Sequence, residues 1–147
     1  MTEAGLKRRI AAEFERYRSG RVAHPDLDDA ALFVELLLEW SPAEVDEAAA
    51  LLLYLVQFPA ARDAALLQWA TDLATGDRLW QCAADGSLER DQLAKDLKVG
   101  LGPRPDPARL DRGISIAERL TSVASEQYAA APRFMLTWLH WARVNWP

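Results

Sequence analysis

Ser41-Pro42-Ala43-Glu44-Val45-Asp46-Glu47-Ala48-Ala49-Ala50-Leu51-Leu52-Leu53-Tyr54-Leu55-Val56-Gln57-Phe58-Pro59 reads as one helix with both ends written into it. Ser41 caps, Pro42 takes the first helical position where a missing N–H costs nothing, and Glu44 completes a capping box. Phe58-Pro59 ends the helix, because proline cannot continue the turn before it. From Ala48 to Val56 the stretch is apolar nearly all round. A helix without a polar face must be surrounded by other elements. This stretch therefore predicts an all-α fold with the Pro42–Gln57 helix at its centre.

Periodicity near 3.6 residues recurs on both sides of it, and nothing alternates with period two for long enough to be a strand. Leu6, Ile10, Phe14 and Tyr17 form a stripe on a helix over Thr2 to Ser19, stopped by Gly20. A second helix follows His24-Pro25-Asp26, with Asp26 or Asp28 as N-cap, and runs to about Trp40. Beyond the central helix, one is expected from Pro59 to Ala74, ending at Gly76. A short one over Arg78 to Ala84 stops at Asp85-Gly86, and Ser87 caps another that carries Leu93, Leu97 and Leu101. The stretch Val99-Gly100-Leu101-Gly102-Pro103-Arg104-Pro105-Asp106 reads as a flexible loop. A long helix opens at Asp106-Pro107 with Leu110, Ile114, Ala117, Leu120, Ala124 and Tyr128 in register, and the last begins near Pro132.

The expectation is one domain over residues 1–147, an irregular bundle of seven or eight helices with Leu52, Leu55, Trp69, Leu120 and Trp138 in the core. A short solenoid-like array of helix hairpins is the alternative. It is suggested by Leu-rich segments ending at Trp40, Trp69 and Trp138, but their unequal spacing lacks a strict repeat.

Composition narrows the functional classes. The net charge of −5 argues against nucleic-acid binding, which draws most of its affinity from a basic face. The charge is unevenly spread: residues 1–21 sum to +3, whereas Val22 to Ala61 holds no Lys or Arg and sums to −8. An N-terminal helix lying on its own acidic neighbour satisfies that pattern, and a head-to-tail contact between copies is the sharper alternative. No apolar run approaches the ~20 residues of a membrane span. Cys82 is the single cysteine and the N-terminus has no apolar leader, so a reducing, cytoplasmic compartment is expected.

The motifs that carry chemistry are missing. Histidines at 24 and 140 and a cysteine at 82 do not make a zinc site, and no Glu-x-x-His pair suggests a di-iron bundle. Phosphate loops and nucleophile elbows are absent too, so no catalytic residue, cofactor or metal is expected. His24-Pro25-Asp26 resembles the loop tripeptide of J-domain co-chaperones. Ser19-Gly20 interrupts the helix that should lead into it, however, and Leu27-Asp28-Asp29 replaces the expected basic residue. Arg62-Asp63 reads as a structural ion pair at a helix N-terminus, with Asp63 favourable to the dipole.

Arg62-Asp63-Ala64-Ala65-Leu66, together with Met135-Leu136-Thr137-Trp138-Leu139-His140-Trp141-Ala142, resembles the helical part of an uncharacterised actinobacterial family of domains of unknown function. The likeness is close at these two motifs and loose over Leu32 to Ala142. The family's separate α/β portion is lacking, and Arg143-Val144-Asn145-Trp146-Pro147 stands where the family has glycine-containing sequence. The resemblance implies an all-helical core and no particular activity.

Six tryptophans remain to be explained. On the last helix Phe134, Met135, Trp138, Trp141 and Ala142 fall on one broad face, with Leu139 and Trp146 on its flanks. Trp146 stands where fraying opposes burial. Phe134, Trp138, Trp141 and Trp146 are therefore the expected contact surface for a homodimer or a protein partner. The functional expectation is a non-enzymatic interaction or regulatory module, with no nucleic-acid or membrane partner. The alternatives are an enzyme using a pocket between helices with His140 and a carboxylate, and a J-domain-like co-chaperone.

Overall fold

In a computed structural model, which describes residues 2–21 and 29–147, all regular structure is helical. Thr2 accepts from the Gly5 N–H and opens α1, Glu3–Arg18. After α2, Ala30–Leu37, the Ser41 hydroxyl and the Glu44 side chain form the expected capping box at the head of α3, Pro42–Val56. Then come α4, Pro59–Trp69, and α5, Leu73–Asp85. A 3-10 turn, Leu88–Arg90, precedes α6, Gln92–Lys98. The chain closes with α7, Pro107–Val123, a 3-10 turn Glu126–Tyr128, and α8, Ala130–Asn145. His24-Pro25-Asp26 and the proposed cap Asp28 lie outside the described residues.

The centre of the bundle is α4 rather than α3. Asp63 through Trp69 are all buried, and α4 packs against α2, α3, α5, α6, α7 and α8. A central helix with neighbours on every side makes this a bundle and not a linear array. The apolar α3 packs between α1, α4, α7 and α8, so its lack of a polar face is satisfied as expected. Leu52, Leu66, Leu67 and Leu120 are at most 1% exposed, and each such side chain contributes roughly 1.5–3 kcal/mol relative to an exposed one.

Three boundaries differ from the sequence reading. The helix after Pro59 ends at Trp69, and the Asp72 carboxylate caps a new one by accepting from the Thr75 N–H at 2.8 Å. Gly76 is thus inside α5 and stops nothing. A Cβ there would lie 2.4 Å from the Gln68 side chain, so the glycine is needed for close approach of α5 to α4. Asp91, not Ser87, caps α6, accepting from the Ala94 N–H at 2.9 Å. Finally, α7 stops at Val123, and Tyr128 follows in a separate turn where its ring meets Phe14 at 4.4 Å.

Ion pairs fasten the outer helices. Arg119 on α7 reaches Asp46 on α3 at 2.7 Å and Glu3 on α1 at 2.7 Å, and these two carboxylates raise its pKa. Arg9 donates to the Asp46 carbonyl at 3.4 Å, so the basic N-terminal helix does lie on the start of its acidic neighbour. Among the described residues no helix is long and apolar enough to cross a membrane.

Candidate functional site

The site begins with a polar residue in an apolar run. Gln68 lies between Leu67 and Trp69 on α4 and is 0% exposed. A buried amide must have every hydrogen-bonding group satisfied or it destabilises the core. Its Nε2 donates to the Ala31 carbonyl at 2.7 Å and to Glu35 at 3.2 Å, and its Oε1 accepts from the Trp80 indole at 3.0 Å. Arg109 completes the arrangement from α7. It clasps Glu35 through two bonds of 2.5 and 2.9 Å and donates to the Gln68 carbonyl at 2.9 Å. Four helices are joined through this network.

The Arg109 hydrogen bonds hold the Glu35 carboxyl below its ordinary range, with the Gln68 amide adding to the effect against desolvation. A carboxylate with a depressed folded pKa stabilises the chain above its unfolded pKa of about 4.3, and the contribution fades as pH falls through the folded value. Glu35→Gln should therefore lower Tm at pH 7 and flatten the part of the Tm-versus-pH curve just below pH 4.3. Breaking a fully buried pair typically costs about 3–5 kcal/mol. Both side chains keep about a fifth of their surface in solvent, which places this pair below that range.

Trp80 and Ala31 face the network on one side and a groove on the other. The groove encloses about 620 Å³ between the start of α2, the end of α3, the start of α4 and the middle of α5. Alanines at 30, 31, 60, 61, 83 and 84 form its walls, with Tyr54, Phe58 and Trp80 as aromatic posts. Phe58 is half exposed at 51%, because the chain is extended there before Pro59 restarts the helix. Asp29 and Asp77 are the charged residues of the lining.

The C-terminal aromatic residues make a second feature, arranged differently from the expectation. The buried stripe of α8 is Pro132, Met135, Leu139 and Ala142, continued by Trp146, so the face lies round toward Leu139. Trp146 is only 4% exposed, which corrects its assignment to an exposed contact surface. Its indole donates to the Gly102 carbonyl at 3.3 Å, and its own carbonyl accepts from Arg104 at 3.2 Å. The fraying argument fails because this loop holds the helix end in place. Trp138 is half-buried rather than core and donates to the Lys98 carbonyl at 3.1 Å. Trp141 stands 5.9 Å from Trp138 and 6.2 Å from Trp146, ring to ring. The expected flexible loop over 99–106 is thus anchored to the end of α8 by the Trp146 indole N–H and the Arg104 guanidinium, while the Trp138 indole holds the end of α6 beside it.

Phe134 remains exposed at 46%, with the Arg62 guanidinium 4.0 Å above its ring. Arg62 pairs with Asp63 at 3.0 Å as expected, and Lys98 joins from α6 at 2.9 Å to satisfy the second carboxylate oxygen. Beside the tryptophans, Val99 and Leu101 are 58% and 56% exposed. His140 is exposed and lines neither the groove nor the tryptophan cluster's contacts with the loop. Among the described residues no group of three His, Cys, Asp or Glu side chains is placed to hold a metal ion.

Sequence reasoning overlooked Gln68, Trp80, Glu35 and Arg109. The available signal was a glutamine inside Leu66-Leu67-Gln68-Trp69, where an exposed position would interrupt the apolar face. No family model, no curated protein and no solved structure matches this chain.

Proposed function

We propose that this chain is a protein-interaction module whose α2–α5 groove receives an amphipathic helix from a partner, with Lys or Arg flanking that helix's apolar face. One observation carries the reading: an apolar groove with alanine walls whose lining bears carboxylates as its charged groups. Alanine leaves room for a second backbone to approach, as grooves that take helices require. Aromatic posts supply contact area at small entropic expense, and Asp29 and Asp77 favour a basic flank. The lining contains neither His nor Cys, so it offers no nucleophile–base pair for the enzyme alternative.

Trp80 makes the reading measurable. A synthetic helix with Leu at i and i+4 and Lys at both ends should shift the Trp80 indole N–H resonance saturably. The same peptide with Glu ends should bind about tenfold more weakly at low salt, and the difference should shrink above the Debye-screening range. Equal affinity for the two peptides, or no saturable response to either, would overturn the proposal.

A second reading, self-association across α8, draws on the exposed Phe134, Val99 and Leu101 around half-buried Trp138 and Trp141. An apolar face of this kind suits a two-fold contact, in which the same patch meets itself.

A further inference from the structure

A smaller pocket lies at the other end of α2 and α3, independent of the groove. It encloses about 290 Å³ between the end of α2, the start of α3 and the middle of α7. Its apolar lining includes Leu38, Val45 and Ile116, all buried, with the half-buried Trp40 as an aromatic wall. The polar lining consists of Arg112, Ser115 and Arg119, with no Asp or Glu among the lining residues.

The two guanidinium groups differ. Arg119 is engaged by Asp46 and Glu3, both at 2.7 Å. Arg112 makes one long hydrogen bond, 3.4 Å to the Leu38 carbonyl, and no ion pair among the described residues. Trp40 shares the lining, and its indole, like that of Trp141, has no acceptor among the described residues, whereas those of Trp69, Trp80, Trp138 and Trp146 each donate to one. The Ser115 hydroxyl donates to the Asp111 carbonyl at 3.2 Å, so Arg112 is the uncommitted cation of the lining. An apolar floor with one such guanidinium at its edge and no carboxylate in its lining is complementary to a molecule with an apolar body and one anionic end. The volume limits the body to a single ring or a branched chain.

We infer that this pocket binds a small apolar carboxylic acid as its anion, with the ring or branch against Trp40 and Ile116 and the carboxylate on Arg112. A guanidinium–carboxylate contact is charge-assisted and geometrically specific, so the anion should be preferred over a neutral analogue of equal shape.

The test uses the full chain, phenylacetate and its neutral counterpart phenylacetamide, followed by two-dimensional NMR of backbone amides and indole N–H groups. Phenylacetate should shift the Trp40 indole and the Ile116 amide saturably. Phenylacetamide should bind at least tenfold more weakly, the factor expected when one charge-assisted bond of about 1.5–3 kcal/mol is lost. Arg112→Gln, at an exposed position, should keep the spectrum of the folded chain and weaken phenylacetate to the level of the amide. Arg112→Lys should restore part of the preference. Equal binding of acid and amide, shifts confined to residues outside the pocket, or no saturable shift would each overturn the inference.

Discussion

Trp69→Ala will lower the free energy of unfolding by about 3–5 kcal/mol, the range for truncating a fully buried large aromatic side chain. Trp69 is 0% exposed at the end of the central helix, and its indole donates to the Val34 carbonyl on α2 at 3.0 Å. On its other side α7 comes close enough that a Cβ on Gly113 would sit 3.1 Å from the ring. One side chain thus sets the spacing of α2, α4 and α7. Alanine leaves a cavity that rigid helices cannot close, and strands the Val34 carbonyl, which lies at the end of a short helix. A domain of this size has about 5–15 kcal/mol in total, so the variant should sit near its unfolding midpoint at 37 °C. Urea titration followed by far-ultraviolet circular dichroism measures the loss. Trp69→Phe keeps most of the volume and loses the hydrogen bond, so it should cost clearly less. A loss below about 1 kcal/mol for Trp69→Ala would mean that α4 is not the hub of the bundle.

What could be read from the sequence, and what could not, divides along the distance between partners. The capping box at Ser41 and Glu44 and the Pro59 break were legible because every group involved lies within a few residues. Stripes such as Leu6, Ile10 and Phe14 were legible for the same reason. Gly76 was misread as a stop because a glycine at a helix end and a glycine at a helix crossing look alike in sequence. The side chain of Gln68 distinguishes them, and it comes from the preceding helix. The groove and its polar backing were not legible at all. Gln68, Glu35, Trp80 and Arg109 come from four helices, and no local periodicity encodes which of these positions will meet. On α8 the apolar residues were recognised, but Phe134, Trp138 and Trp141 lie on one face and Pro132, Met135, Leu139 and Ala142 on another. The choice between them depended on where α7 and the 99–104 loop would lie, which is a tertiary fact.

That loop is the basis for the second large effect. Trp146→Ala will cost roughly 3 kcal/mol, toward the lower end of the range for buried tryptophan because the residue lies at the C-cap of α8, outside the regular helix. The indole fills the space between α8 and the loop, edge-on to Trp138 at 6.2 Å, and its N–H satisfies the Gly102 carbonyl. Gly100 has a φ of +80°, and a Cβ there would lie 2.5 Å from Pro147, so the loop and the chain end are fitted to each other. Losing the indole should release both at once. Amides from Gly100 to Arg104 should then exchange faster by a larger factor than those of α3 or α4, which open only with global unfolding. The same experiment separates anchoring from association. If Trp146 serves the fold, Trp146→Ala reduces stability and leaves the light-scattering mass of the folded chain unchanged over a hundredfold dilution. Trp141→Ser, in the half-buried neighbour beside Val99 and Leu101, would instead alter the mass if α8 carries a two-fold contact. A Trp146→Ala variant of undiminished stability would show that the anchor contributes nothing and return Trp146 to the contact surface.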